Sequence, residues 1–292
     1  MHRFGWCLVL FASLASCTLD GESDGRNVMP RVAGIVSYDE FGAVSAIGAV
    51  EYDAQGRRAA YRIYDETGAP KASYRYQYQS SNVVRVTLHG SDGGLLSAFV
   101  YEFDDRQLAT ALRIYDADGS ETDAALISYD GLGRRVEVFL YEDGILTSRS
   151  EVDYSAGNGP FRATIYDGTD AKTGSTVTEV GSHGAMTRFT VYDSDDAVVS
   201  TASYSYNQLH QLIAYTLEET AYPDNSVARE LSYNTEGLFT KLISKDHTGA
   251  ITATAELTYE TGLYVLTPEE QYMASASVHS DAFGFLYSMD LH

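Results

Sequence analysis

The stretch YDGLGRRVEVFLYEDG, residues 129–144, holds one whole strand between two turns. Tyr129 and Asp130 are followed by Gly133. Then comes the alternating run VEVFLY, and Tyr141, an acid and Gly144 close the stretch. A period of two, rich in β-branched and aromatic residues, is the pattern of a strand with unequal faces. Aspartate suits the first position of a type I turn, because its carboxylate accepts the backbone N–H groups just ahead. Glycine suits the last position, where φ turns positive. The phrase is therefore a hairpin connection with a bulge at the glycine. The tyrosine is the last strand residue, expected to lay its ring on the neighbouring strand and its hydroxyl in water.

Outward from this stretch the phrase recurs: YDEFG at Tyr38, YDAQGRR at Tyr52, YDETG at Tyr64 and YDADG at Tyr115. Strand ends are expected at 38, 52, 64, 78, 89, 103, 115, 129, 141, 154, 166, 180, 192, 206, 222, 233, 245 and 259. These are 17 intervals over 221 residues, or 13 each, often alternating near 12 and 14 to give a double unit of 26. Thirteen residues fit one strand and one turn. SYRYQYQ at 73–79 and VVRVTLH at 83–89 alternate as the first stretch does, while YPDNS at 222–226 supplies a proline turn. The pattern predicts an all-β body over 31–259, a long antiparallel meander of about 18 strands in an open curled or superhelical sheet. At the C-terminus, residues 260–292 read as a cap. TPEE at 267–270 is a helix start, and FGFLY at 283–287 is a final strand able to cover an open edge.

YDAQGRR and YDGLGRR resemble the YD repeats of RHS-type proteins, where YDxxGR marks the turns of a long spiralling sheet. MORN-like hairpin repeats are similar in plan. The resemblance runs loosely over 38–259, with the full YDxxGRR at Tyr52 and Tyr129 only. It implies a repeat architecture. The spacing is closer than the family's, and the chain is too short for the closed shell of the large toxin members, so encapsulation is not carried over.

The first seventeen residues, MHRFGWCLVLFASLASC, have a basic start at Arg3 and an apolar run from Phe4 to Leu14, too short to span a bilayer. Leu14, Ala15, Ser16 and Cys17 resemble the lipobox of bacterial lipoproteins. The resemblance implies removal of residues 1–16 as a signal peptide, a diacylglycerol thioether on Cys17 and a lipid-anchored place in the bacterial cell envelope. Thr18 after the cysteine implies the outer membrane. Residues 17–30 are polar and acidic and read as a flexible tether. Cys7 lies in the segment removed, so no disulfide or thiol chemistry is expected in the mature chain.

The formal net charge of −21 argues against nucleic acid as a partner. No pair of the seven histidines has metal-ligand spacing, and no nucleophile elbow or phosphate loop is present. DADGSETD at 116–123 and DSDDA at 193–197 resemble fragments of calcium loops, which makes Asp116, Asp118, Asp193 and Asp195 weak Ca²⁺ candidates. They are turn signals first. No other cofactor is expected. Tyr74, Tyr76 and Tyr78 form one aromatic row and Tyr204 and Tyr206 a second, both candidates to stack on a sugar or hold a peptide. The expectation is a non-enzymatic binding or structural scaffold for an envelope protein or a glycan. The alternative is a glycan-processing enzyme on a closed β architecture such as a propeller, with two inward carboxylates. A membrane barrel is disfavoured, because RRAAYRIY and LTSRSEVDY lack a continuously apolar face.

Overall fold

The structure, a computed structural model, describes residues 28–155, 160–182 and 184–265, with side chains described from Val32 to Tyr259. The signal peptide, most of the tether, and the expected helix and strand after residue 266 lie outside the described residues.

Eighteen strands follow one another. They are β1 (Val28–Asp39), β2 (Val44–Tyr52), β3 (Arg58–Tyr64), β4 (Pro70–Tyr78), β5 (Val83–Gly90), β6 (Leu95–Phe103), β7 (Ala109–Asp116), β8 (Glu121–Tyr129) and β9 (Arg135–Glu142). The second half holds β10 (Ile145–Asp153), β11 (Phe161–Asp167), β12 (Lys172–Val180), β13 (Met186–Asp193), β14 (Val198–Tyr206), β15 (Leu212–Glu219), β16 (Val227–Tyr233), β17 (Phe239–Asp246) and β18 (Ile251–Val265). The expected strand ends fall within one residue of these except at 222 and 259, where β15 stops at Glu219 and β18 runs on to Val265.

Every strand pairs antiparallel with its neighbours in sequence, and β1 also pairs with β18. Ile35 lies opposite Leu257 on one side, and Val36 lies opposite Ile47 on the other. The sheet is therefore a closed 18-stranded up-and-down barrel, not the open curled or superhelical sheet expected from the repeat. It is not a propeller either, since one continuous sheet contains all the strands. Closure pairs the two rows of N–H and C=O groups that an open meander leaves bare, so no edge remains to be capped.

The two faces differ. Register places Val50, Tyr61 and Tyr74 side by side, then Val84, Tyr101, Leu112, Ala125 and Leu140. Most belong to one apolar cluster running from β17 through β1 to β9, with Val84 and Val138 only 1% exposed. On the convex side of a barrel side chains splay apart, and on the concave side they converge. Large residues buried to this degree therefore line the lumen. In β10 to β15 the same face carries smaller groups, including Ser150, Thr176, Thr178, Ser200 and Ala202.

The opposite, outer face is charged. Arg62 pairs with Glu51 at 2.6 Å, Arg113 with Glu102 at 3.2 Å and Glu121 at 3.3 Å, and Lys241 with Glu256 at 3.0 Å. Ala98, fully buried on this face, lies across from Tyr115, whose ring also receives Arg85 at 5.8 Å. A lipid-facing wall would be apolar at these positions.

Candidate functional site

The recurring turn is a type I turn closed by a bulge. Asp130 N–H donates to Arg134 O at 2.9 Å and Gly133 N–H to Asp130 O at 3.0 Å, with Gly133 at φ 78°. The Asp130 carboxylate accepts the N–H groups of Leu132 and Arg134, both at 2.9 Å. Those bonds, led by the one from Arg134, hold its pKa below the usual carboxylate range. Asp65, Asp167 and Asp246 are lowered in the same way, led by the hydroxyls of Thr67, Thr169 and Thr248.

The calcium candidates sit in such turns. Asp116 Oδ1 accepts the N–H groups of Asp118, Gly119 and Ser120, and Asp193 Oδ1 those of Asp195 and Ala197. Among the described residues no group of three or more His, Cys, Asp or Glu is placed to hold a metal ion.

The tyrosines divide between the two ends of the barrel. At one end, at or beside the ends of the even-numbered strands β2 to β16, stand Tyr52, Tyr78, Phe103, Tyr129, Tyr154, Val180, Tyr206 and Tyr233, with Tyr259 six residues before the end of β18. All seven tyrosines of this rim donate a hydroxyl hydrogen bond to a carbonyl of the preceding strand, in six cases the one that opens it, as Tyr78 does to Arg58 O at 2.9 Å and Tyr129 to Ala109 O at 2.8 Å, while Tyr52 reaches Val32 O inside β1. The hydroxyl thus goes to backbone, not to water as expected. At the other end Tyr115, Tyr166 and Tyr192 turn to the outer face, where Arg85, Arg149 and Arg162 cover their rings.

The double arginine of YDxxGRR has two tasks. The first arginine folds back on its own turn: Arg57 to Asp53 and Arg134 to Asp130, each at 2.7 Å, with the guanidinium over Tyr78 at 4.0 Å and Tyr154 at 4.4 Å. The second opens the next strand. Arg58 is 8% exposed, and its Nη1 donates to the Tyr76 hydroxyl at 3.3 Å.

Neither predicted tyrosine row is an open outer stripe. Tyr74 is buried in the luminal cluster and stacks on Tyr61 with ring centres 6.3 Å apart, while Tyr76 and Tyr78 pack against the same cluster. Tyr206 is tied to Met186 O at 2.8 Å. Tyr204 is half-buried and meets Tyr215 at 5.2 Å, and Arg229 lies 5.9 Å from the Tyr215 ring. Burial pushes the Tyr215 hydroxyl pKa up and the Arg229 pKa down, the reverse of the outer arginines, which their carboxylate partners raise. Register puts Tyr204, Tyr215 and Arg229 side by side on the face that carries Ala202 and Leu217, the luminal face of β14 to β16. Sequence reading missed Arg229. Its only signal was a charge on the luminal side of the alternation, and that side is legible only once closure is known.

The charge is unevenly shared between the rims. Counting each connection with the strand residue on either side, the end opposite the tyrosine rim holds eighteen acids against one lysine, Lys172, and one histidine, His247. The tyrosine rim holds six acids against five arginines. Glu219, at the acidic rim, is the one carboxylate among the described residues whose pKa is raised, by burial. Asp65, Asp130, Asp167 and Asp246 are lowered, as suits hydrogen-bond acceptors.

These features define a closed antiparallel barrel with an apolar-to-polar lumen, an ion-paired exterior and two unlike rims. No protein-family model matches the chain, and no curated protein matches it. Among solved structures it is similar to a porin-like protein from Bacteroides uniformis, at 12% identity and TM-score 0.41, over 78% of this chain and 98% of that one. A porin-like protein from Bacteroides vulgatus shares 11% identity at TM-score 0.39, over 80% of this chain and 100% of that one. A TcdB2–TccC3 structure without its hypervariable C-terminal region gives 13% identity and TM-score 0.25, over 81% of this chain and 16% of that one. Likenesses at these scores carry no functional argument, so the reading below rests on the chain itself.

Proposed function

We propose that the chain is a lipid-anchored, non-enzymatic protein of the bacterial cell envelope. In this reading residues 1–16 are removed, Cys17 carries the lipid, residues 17–30 are the tether and the barrel is a scaffold for an envelope protein or a glycan. The observation that carries it is the distribution of polarity. A barrel with apolar groups inside and Glu51–Arg62, Glu102–Arg113 and Lys241–Glu256 pairs outside is built for water around it, not lipid. Such a body needs another means to stay at a membrane, and Leu14-Ala15-Ser16-Cys17 provides one. The turn aspartates among the described residues serve as acceptors of backbone hydrogen bonds, which supports a structural role for them. The test is metabolic labelling with a palmitate analogue, followed by membrane fractionation. Wild type takes up label and sediments with membranes, and Cys17→Ser does neither. A wild-type chain that is unlabelled and soluble overturns the reading.

A further inference from the structure

We infer that the barrel stands upright on the bilayer, with the tyrosine rim against the lipid headgroups and the acidic rim pointing away. The inference rests on the anchoring reading above and adds to it an interaction surface and an orientation.

Two features bear on the orientation. The first is where the chain enters and leaves. β1 begins at Val28 and β18 ends at Val265, both at the tyrosine rim. Cys17 is eleven residues before Val28, a reach of roughly 40 Å at full extension. Strands of eight or nine residues make a barrel wall roughly 20 Å tall. The tether alone therefore permits either orientation, and the surfaces decide.

The second feature is the rims themselves. Envelope lipids carry net negative charge, and their field fades within a Debye length of about 8 Å. Only the rim nearest the membrane feels it. Inverting the barrel would press eighteen carboxylates against that field, with only Lys172 and His247 as bases among them. The tyrosine rim is close to neutral, because Asp53, Asp104 and Asp130 are each paired with an arginine of the same turn. Its tips carry Leu132, 79% exposed, and Leu209, 74% exposed. Leu132 shares its turn with Arg134, and an apolar tip beside an arginine suits the headgroup layer. The acidic rim has exposed apolar groups as well, Phe41 and Ile145, but they stand next to Asp39 and Glu40, and to Glu142 and Asp143.

The test uses the full lipidated chain on vesicles of phosphatidylethanolamine and phosphatidylglycerol with an acceptor dye on the headgroups. Single donor labels are placed at Leu132→Cys and Leu209→Cys on one rim, and at Phe41→Cys and Thr67→Cys on the other. Energy transfer about twofold higher at 132 and 209 than at 41 and 67 is expected, from a height difference of roughly 20 Å. Equal transfer at all four positions, or the reverse order, with the protein floating on the vesicles, overturns the orientation and leaves anchoring intact. Failure to float with the vesicles, with no transfer anywhere, overturns the anchoring reading and the orientation with it.

Discussion

The Tyr129 hydroxyl donates a 2.8 Å hydrogen bond to the carbonyl of Ala109, twenty residues upstream at the start of the preceding strand. Six other rim tyrosines make the same bond at spacings of nineteen to twenty-one residues. Tyr129→Phe should lower stability by about 1 kcal/mol, the usual net worth of such a bond. Tyr141→Phe is the control. That residue is the last but one of β9, on the outer face across from Ala124, and its loss should cost less than about 0.5 kcal/mol. Urea unfolding of both variants measures the difference, and equal costs would remove the bond from the account.

Burial raises the Tyr129 pKa to about 12, above the value of about 10 expected in the unfolded chain. The folded state therefore favours the neutral phenol. Its contribution is fully present below about pH 10 and is lost as pH rises through about 12. An ultraviolet titration should show a late phenolate fraction that Tyr129→Phe diminishes. Far-ultraviolet circular dichroism should show the barrel opening in the same interval. A titration complete by pH 10.5 would contradict the burial.

Val138 and Phe139 are neighbours on opposite faces, the first 1% exposed in the lumen and the second on the outer wall opposite Leu126. Val138→Asp should prevent folding, because it buries an unpaired carboxylate among Leu112, Ala125 and Ile127. Phe139→Asp should fold, at a cost below about 2 kcal/mol. The reverse result would mean that the apolar face is the outer one. Thermal melts of the purified variants decide between them.

Gly48 faces Tyr61 so closely that an added Cβ would lie 2.3 Å from its hydroxyl oxygen. Gly48→Ala should cost about 1–3 kcal/mol through overpacking. Combined with Tyr61→Leu the two costs should sum to less than their separate values, a coupling that a double-mutant cycle reads directly. Strict additivity would show that the ring does not rest on the glycine.

Arg113 bridges Glu102 and Glu121 on the outer wall with all three side chains about a third or more exposed. Exposed pairs of this kind are worth about 0.2–1 kcal/mol at most. Arg113→Ala should thus shift the urea midpoint slightly, and 1 M salt should erase the shift. A loss above about 2 kcal/mol would mean the outer wall is drier than described.

The sequence by itself determined the strands and their corners. Asp-x-x-Gly needs only a carboxylate that accepts the next N–H groups and a residue free to take positive φ. Both are local, so Tyr129 to Gly144 could be read without the rest of the chain. Tertiary structure decided closure. The β1–β18 ladder joins Ile35 to Leu257, and no local pattern states that the twist accumulated over eighteen strands brings those two together. It also decided which side of each alternation is inside. Tyr52 and Tyr64 begin nearly identical phrases, yet a register shift stands just before each, and one ring joins the luminal rim while the other turns outward. The extra residue of each shift lies on the partner strand, so each tyrosine keeps the alternation of its own strand, Tyr52 in phase with Val50 and Tyr64 out of phase with Ile63, and only pairing with the neighbouring strands fixes which phase is inside. For the same reason the Tyr74, Tyr76 and Tyr78 row looked like a free surface in the sequence and is a packed wall in the barrel. The rims are likewise tertiary. The eighteen acids opposed only by Lys172 and His247 are scattered across 208 positions from Asp39 to Asp246, and they gather only because alternate hairpins of a closed meander end on the same side.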